Sequence, residues 1–414
     1  MTSDLEDVWR REAPHVLGAL VRRYGDFDGC EDAAQEALLA AVTQWPVEGT
    51  PDNPRGWLVR VASRRFIDQL RSQQARAQRE HAVGTRQPAD AFHAPPPDVD
   101  RPPVESDTLE LLLLCCHPAL TRPSQVALTL RAVGGLTTAQ IAAAFLVPES
   151  TMAQRISRAK GALHSAGARF VVPEGQELTN RLAAGLHVLY LVFNEGYTTS
   201  GGNQLLDVSL TREAIRLTRQ LRRVRPDDAE VGGLLALMLL TDARREARTD
   251  AAGDLVPLEH QDRGRWHGHA IAEGVALLED VLPKGQVGPF QIQAAIAAIH
   301  DEAPTWPDTD WLQITMLYRM LDQTVPSPTV TLNLAVALGM AHGPRAGLDQ
   351  IEPLLELPEM RRYHRTHAVL AHLLEMAGRQ QEATEAYAYA ARLTASIPEQ
   401  RYLNERARRS AQMA

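Results

Sequence analysis

The stretch Leu136–Leu163, LTTAQIAAAFLVPESTMAQRISRAKGAL, reads as a helix, a sharp turn and a second helix. Thr137 followed three residues later by Gln140 has the spacing of a capping box, in which each side chain satisfies a backbone N–H at a helix start. Ile141, Ala142 and Phe145 supply an apolar face at helical spacing, and Pro148 suits the first turn of the next helix because it has no N–H to leave unbonded. In that second helix Met152, Ile156, Ala159 and Leu163 step by four, three and four, so they share the face turned to a core. Thr151, Gln154, Arg155 and Arg158 lie on the other side, and from Ser150 to Arg169 there are four basic residues, Lys160 among them, and no acidic one. Such a face suits phosphates and base edges in a major groove. The same spacing also fits an ordinary helical hairpin with a solvated face.

The rest of the chain bounds what this hairpin belongs to. At 414 residues and 44% hydrophobic it can bury large cores and divide into two or three domains. Alanine and leucine dominate, aromatics are 5%, and alternating β-branched runs are rare, so the expected fold class is all-α. Three cysteines, two of them adjacent, make no disulfide framework, and Cys115, Cys116 and His117 lack a second ligand pair at metal-binding spacing. No metal or cofactor is therefore expected. The longest apolar runs, such as VGGLLALMLL from Val231, are too short to span a bilayer and the N-terminus is charged, so the expectation is a cytoplasmic protein without a membrane partner. The net charge of −8 is unevenly spread: between Arg55 and Arg79 seven arginines face the single acid Asp68. Local stripes, not whole-chain charge, make the electrostatic footprint on nucleic acid.

The first 75 residues divide into helices broken at YGDFDG (Tyr24–Gly29) and WPVEGTPDNP (Trp45–Pro54). Between the breaks, Ala34, Leu38, Ala41 and Trp45 share one face and leave Asp32, Gln35 and Glu36 for another surface. On spacing alone, an amphipathic core helix with a solvated acidic start is the simpler reading. The next helix, GWLVRVASRRFIDQLRS, sets Val59, Ala62, Phe66 and Leu70 against a row of Arg60, Arg64, Asp68 and Arg71, with Arg65 beside it. Arginines at that spacing follow a phosphate backbone, or form a basic surface held by pairs such as Arg64–Asp68. Residues 76–106 are polar and proline-rich, with APPPDVDRPP at the centre, and read as a linker.

Two phrases carry a resemblance to a known family. FLVPESTMAQRISRAK resembles the promoter-reading helix-turn-helix of domain four in bacterial sigma factors of the extracytoplasmic function type, in the group with a large TPR-like C-terminal extension. DAAQEALLAAV, then WP, then NPRGWLVRVASRRFIDQLR is similar to domain two of the same factors, in the family's order. One departure is Leu146, where most helix-turn-helix turns carry glycine; it fits this particular group. The resemblance implies that the helix with Asp32, Gln35 and Glu36 grips the clamp helices of core RNA polymerase. It implies that the helix with Arg60, Arg64, Arg65 and Arg71 engages the minus-ten element of promoter DNA. Thr151, Gln154, Arg155, Arg158 and Lys160 would then meet the minus-35 element. The implied layout is domain two at 1–75, the linker at 76–106, domain four at 107–170 and the TPR-like domain at 174–414.

In the last part, Leu370, Ala371, Leu374, Ala383, Tyr387 and Ala390 occupy the large and small positions of a 34-residue helical repeat, and Leu334, Ala335, Leu338, Gly347, Ile351 and Leu354 repeat the offsets. A helical-repeat domain usually offers a concave binding surface, here for a regulatory protein or ligand. Two patches invite an enzymatic reading: Asn194, Glu195 and Tyr197, and His267, His269 and Glu273. No nucleophile motif, phosphate loop or metal motif accompanies them. A polar helix end is the simpler reading, and FNEGY and QAAIAAIH also resemble signatures of this sigma group's extension. The reading is thus a non-enzymatic alternative sigma factor regulated by its C-terminal domain. The rival is a TPR-containing DNA-binding activator that does not replace sigma.

Overall fold

A computed structural model describes residues 3–80, 107–285 and 287–413. Among these are nineteen α-helices and one two-stranded ladder, as an alanine- and leucine-rich chain without β-alternation should give. None of the helices is long and apolar enough to cross a membrane. The chain divides into two compact bodies: residues 1–143 with 147–188, and residues 144–146 with 189–414. The linker expectation at 81–106 lies outside the described residues.

The first body holds α1 (Ser3–Tyr24), α2 (Phe27–Glu48), α3 (Pro54–Glu80), α4 (Asp107–Cys115), α5 (Arg122–Ala132), α6 (Thr138–Ala144) and α7 (Glu149–Ser165). Asp26 caps α2 by accepting from the Gly29 N–H at 3.2 Å, and Asn53 does the same for α3 from Gly56 at 2.9 Å. Ala33, Ala34, Ala37, Leu38 and Ala41 of α2 are buried with Leu58, Ala62 and Phe66 of α3, as their spacing demands. The linker expected from residue 76 starts later than its composition suggested, because α3 continues to Glu80. Gln, Ala and Arg there are strong helix formers, so a polar stretch continues the helix at little cost. The leucines 111–114 and Cys115 of α4 are buried, as is Cys116 just after it, and burial pushes the Cys116 thiol up to about 12. The capping box at α6 is present in both directions, at 2.9 Å and 3.2 Å. Pro148 sits one residue outside α7 as its N-cap, and Leu146 takes the glycine-favouring left-handed conformation with φ of 50°.

Next, α8 (Gly175–Tyr197) contributes to both bodies, its residues up to Val188 grouping with the first. The second body continues with β1 (Gly201–Gly202), α9 (Val208–Val224), α10 (Ala229–Ala243), α11 (Gly268–Val281), α12 (Pro289–Glu302) and α13 (Trp311–Thr324). After these come α14 (Pro328–His342), α15 (Pro344–Ile351), α16 (Pro358–Arg361), α17 (His364–Met376), α18 (Gln380–Leu393), β2 (Ala395–Ser396) and α19 (Ile397–Met413). The run from Val231 is α10, a helix buried on nearly every side. Its Gly232 and Gly233 let α11 and α12 approach closely: a Cβ at 232 would lie 2.5 Å from Val281, and one at 233 would lie 2.8 Å from the Gln291 nitrogen. Three arginines of α9 are taken up by carboxylates: Arg219 and Arg222 pair with Glu273 at 2.5 Å and Asp280 at 2.8 Å on α11, and Arg216 pairs with Glu213 at 2.6 Å.

Ala371, Leu374, Ala383, Tyr387 and Ala390 share one buried cluster across the α17–α18 hairpin, with Leu370 packed against it. Gly347 lets α15 close on α14, where a Cβ would come 2.6 Å from the Ala335 carbonyl. Parallel pairing of β1 with β2 ties the end of α8 to the segment after α18.

At the end of α12, His300 stacks on Trp306 and meets Trp311 edge-on, while the buried Asp301 carboxylate accepts from Arg244 at 2.5 Å. Burial, then Arg244 and Arg263, lower the His300 pKa to about 3 from 6.5, so the unfolded chain takes up this proton first. Stability therefore falls as pH drops from 6.5 towards 3. Burial raises Asp301 to about 6 from 3.8, which works in the opposite sense between those values. The prediction is that His300→Phe, which keeps an aromatic ring on Trp306, gains protection of α12 amides relative to the wild type as pH falls from 6.5 to 4.5. Hydrogen exchange read by mass spectrometry tests it; a wild-type-to-variant difference independent of pH contradicts it.

Candidate promoter and polymerase surfaces

Helix α7 sorts its side chains as its spacing requires. Met152, Ile156, Ala159 and Leu163 are buried, Thr151, Gln154 and Arg158 are exposed, and Arg155 is half-buried. These four lie within the first three turns of α7, the end that in a helix-turn-helix enters the major groove. On α3, Arg60, Arg64, Arg65 and Arg71 are all exposed. Asp68 is 4.0 Å from Arg71 rather than paired with Arg64, and Arg65 reaches Glu36 of α2 at 3.5 Å. Exposed pairs of this kind contribute less than about 1 kcal/mol, so the row keeps its positive character.

The α2 surface is formed by exposed Asp32 with half-buried Gln35 and Glu36, the last also accepting from Gln69 at 3.2 Å. One turn further lies Leu39, 65% exposed, and then the exposed Thr43. Leu39 is absent from the sequence-based candidates. Its signal was its register: it lies off the Ala34–Leu38–Ala41–Trp45 stripe and one turn beyond Gln35 and Glu36, so a helical wheel places it outside the core.

Lys160 does not stand with Arg155 and Arg158. It is 7% exposed and reaches back to α2, with its Nζ 2.8 Å from Asp28, 2.7 Å from Glu31 and 2.7 Å from Asp32. Burial alone would lower its pKa, but Glu31, Asp28 and Asp32 outweigh burial and hold it above the ordinary lysine value. Glu31, 2% exposed, also accepts from Arg131 of α5 at 2.7 Å. A residue assigned to DNA and one assigned to polymerase are thus partners of each other here. Nearby, Trp9 donates to the Gly135 carbonyl at 2.8 Å, and Asp107 accepts from Arg22 and meets His15 at 3.3 Å. Arg55, whose charge counted towards the basic stripe, is tied to Glu12 at 2.7 Å.

The enzymatic candidates are not assembled into a site. Glu195 accepts from the Ser200 N–H at 2.8 Å and hydroxyl at 2.5 Å, so it staples the turn after α8. Tyr197 lies 3.7 Å under the Arg248 guanidinium, which also donates to the Tyr197 carbonyl and to Thr198. Glu273 is taken by Arg219, and His267 faces Glu246 at 3.1 Å.

Comparison with known proteins fits this geometry. Residues 8–76 match Sigma-70 region 2, residues 110–163 match Sigma-70 region 4, and residues 181–282 match a family of unknown function, DUF6596. The probable ECF RNA polymerase sigma factor SigI of Mycobacterium tuberculosis is 30% identical over 152 residues, which is 37% of this chain and 51% of SigI. Uncharacterized protein R00370 of Rhizobium meliloti is 41% identical over 394 residues, or 94% of this chain and 92% of that protein. No solved structure matches the chain significantly. The chain belongs to the extracytoplasmic function sigma factors that carry a large helical C-terminal extension, and its likeness to R00370 runs through that extension.

Removing one partner from a buried ionic cluster leaves the others uncompensated, at a cost of about 3–5 kcal/mol. Glu31→Gln should therefore destabilise the first body by that order. Asp32→Asn, at a carboxylate 58% exposed, should cost well under half as much. Urea titration of both variants checks the ranking, which equal losses would contradict.

Proposed function

We propose that this protein is an alternative sigma factor that binds core RNA polymerase through α2, reads the minus-ten element with α3 and the minus-35 element with α7, and is regulated by its own C-terminal helical domain. The observation that carries the proposal is the exposed face of α7, Thr151, Gln154 and Arg158, on a helix-turn-helix that follows an exposed arginine row on α3 in the order sigma factors require. Recruitment, not bond chemistry, is the mechanism: Asp32, Gln35, Glu36 and Leu39 offer polymerase a mixed acidic and apolar face. Arg60, Arg64, Arg65 and Arg71 follow phosphates beside DNA opened at the minus-ten region.

Regulation in cis is supported by the stacked hairpins α14–α15 and α17–α18, which keep the small-large pattern of TPR units. Such units present binding surfaces, which supports a partner protein or ligand as the source of the signal. Because α8 up to Val188 packs with the first body, a chain ending after Val188 keeps those contacts, whereas one ending at Pro173 would strip them.

Run-off transcription with purified core polymerase, this protein as the added factor and its own operon's promoter tests the proposal. A specific transcript is expected, at a yield altered for the chain ending after Val188. No transcript and no binding to core polymerase would contradict the sigma function and favour an activator. Arg158→Ala should weaken promoter-dependent binding by about 1–3 kcal/mol if the arginine reads a base, at some promoter positions more than others. Uniform affinity across altered minus-35 sequences would show that it touches phosphate alone.

A further inference from the structure

Around the C-terminal end of α12, five side-chain polar atoms are buried without a hydrogen-bond partner among the described residues: Arg263 Nη2, Trp266 Nε1, His300 Nδ1, Asp301 Oδ2 and Thr309 Oγ1. Direct contacts tie the segments that carry them together. From the end of α10, Arg244 donates to Asp301 Oδ1 at 2.5 Å and to the Ala297 carbonyl at 2.8 Å. Arg263 donates to the carbonyls of His300 at 2.7 Å and Ala303 at 2.6 Å. Both guanidiniums lie over the Trp266 ring, Arg244 at 5.4 Å and Arg263 at 4.5 Å from its centre. His300 stacks on Trp306, and the Thr309 amide donates to the Trp306 carbonyl at 3.2 Å.

Part of this patch has a purely structural cause. The last carbonyls of a helix need donors from outside it, and the two arginines supply them to α12. That role occupies Arg244 Nη2 and Arg263 Nη1 and leaves the five atoms above untouched. Buried polar groups are seldom left without partners, and a single ordered water, making about three hydrogen bonds, does not serve five of them. The five also sort by charge. Half-buried Arg263 has no ion pair among the described residues, and its free N–H and the indole N–H of Trp266 are two donors suited to a carboxylate. Asp301, its side chain 0% exposed, gives one oxygen to Arg244 and has the other free to accept from a cation. Beside it, burial and the two arginines hold the His300 ring neutral, with a pKa of about 3, so it adds an acceptor and no repelling charge. Trp306 and Trp311, with ring centres 5.0 Å apart, extend the aromatic surface at His300, and such surfaces attract ammonium groups. The Thr309 hydroxyl can serve either end.

We propose that Arg263, Trp266, His300 and Asp301 form a binding site for a small zwitterionic amino acid, its carboxylate on Arg263 and Trp266 and its ammonium on Asp301 and His300. A ligand with both charges pairs the donors and the acceptors at once, which neither a simple anion nor a simple amine does. The site lies wholly within the second body, and it stands whether or not the chain serves as a sigma factor.

Calorimetric titration of the full chain with the common α-amino acids, β-alanine and γ-aminobutyrate tests the proposal. Burial raises Asp301 to about 6, so the titrations are made above that value, where the carboxylate is ionised. Saturable binding of at least one probe with a Kd below about 1 mM is expected. The same molecule without its amine, and the same molecule without its carboxylate, should each bind about tenfold more weakly or worse, because each meets one end of the site. Trp266→Phe keeps the ring under the guanidiniums and removes the indole N–H; Asp301→Asn removes the charge. Each should weaken the best probe about tenfold or more. Helicity and melting separate lost binding from lost folding, and if Asp301→Asn does not fold, Trp266→Phe decides. Solvent alone serving the five atoms predicts no saturable binding by any probe, and that result overturns the site. So does a best probe that binds the folded variants as tightly as the wild type, or a one-charge analogue that binds as tightly as the zwitterion.

Discussion

A lysine ammonium taken out of water must be paired with carboxylates or lose its charge, and Lys160 has three of them, all on α2. That one requirement links two helices whose functional faces are otherwise independent. It places the first turn of α2 against α7, brings Arg131 of α5 in through Glu31, and makes the first body one closed unit rather than two separate readers. The exposed remainder of each helix, Leu39 with Thr43 on α2 and Thr151 with Arg158 on α7, is what the pairing leaves available.

The second body is organised by a different constraint. Helix α10 is apolar on nearly every side, so it needs neighbours all round, and its paired glycines let α11 and α12 approach at backbone distance. The arginines of α9 then find carboxylates on α11 and the polar end of α8 closes on itself through Glu195 and Ser200. Of the groups that suggested acid–base chemistry, Glu195 holds the turn after α8, Glu273 joins α11 to α9 and His267 faces Glu246.

Local order was readable from the chain because its causes are local. A capping box depends on Thr137 and Gln140 alone, and the α7 stripe on a four-three-four step, so both appear where spacing places them. That the positions from Leu370 to Ala390 would pack together was equally legible, since small residues recur where two helices touch. Partners across the chain were not. Nothing near Lys160 marks Asp32, 128 residues away, as its counter-ion, and seven arginines between Arg55 and Arg79 look alike until Arg55 is found on Glu12. The end of α3 was missed for the opposite reason: polar composition resembles a linker, while the intrinsic preference of Gln, Ala and Arg carries the helix on to Glu80.

Whether α2 is the polymerase-binding helix is the point on which the functional account turns, and a photo-crosslinking residue placed at Leu39 examines it most directly. Assembled with core RNA polymerase and irradiated, the protein should attach to the polymerase subunit that carries the clamp helices, and the same probe at exposed Arg212 on α9 should not. Attachment from position 212 but not from position 39, or from neither in an assembled complex, would contradict the account.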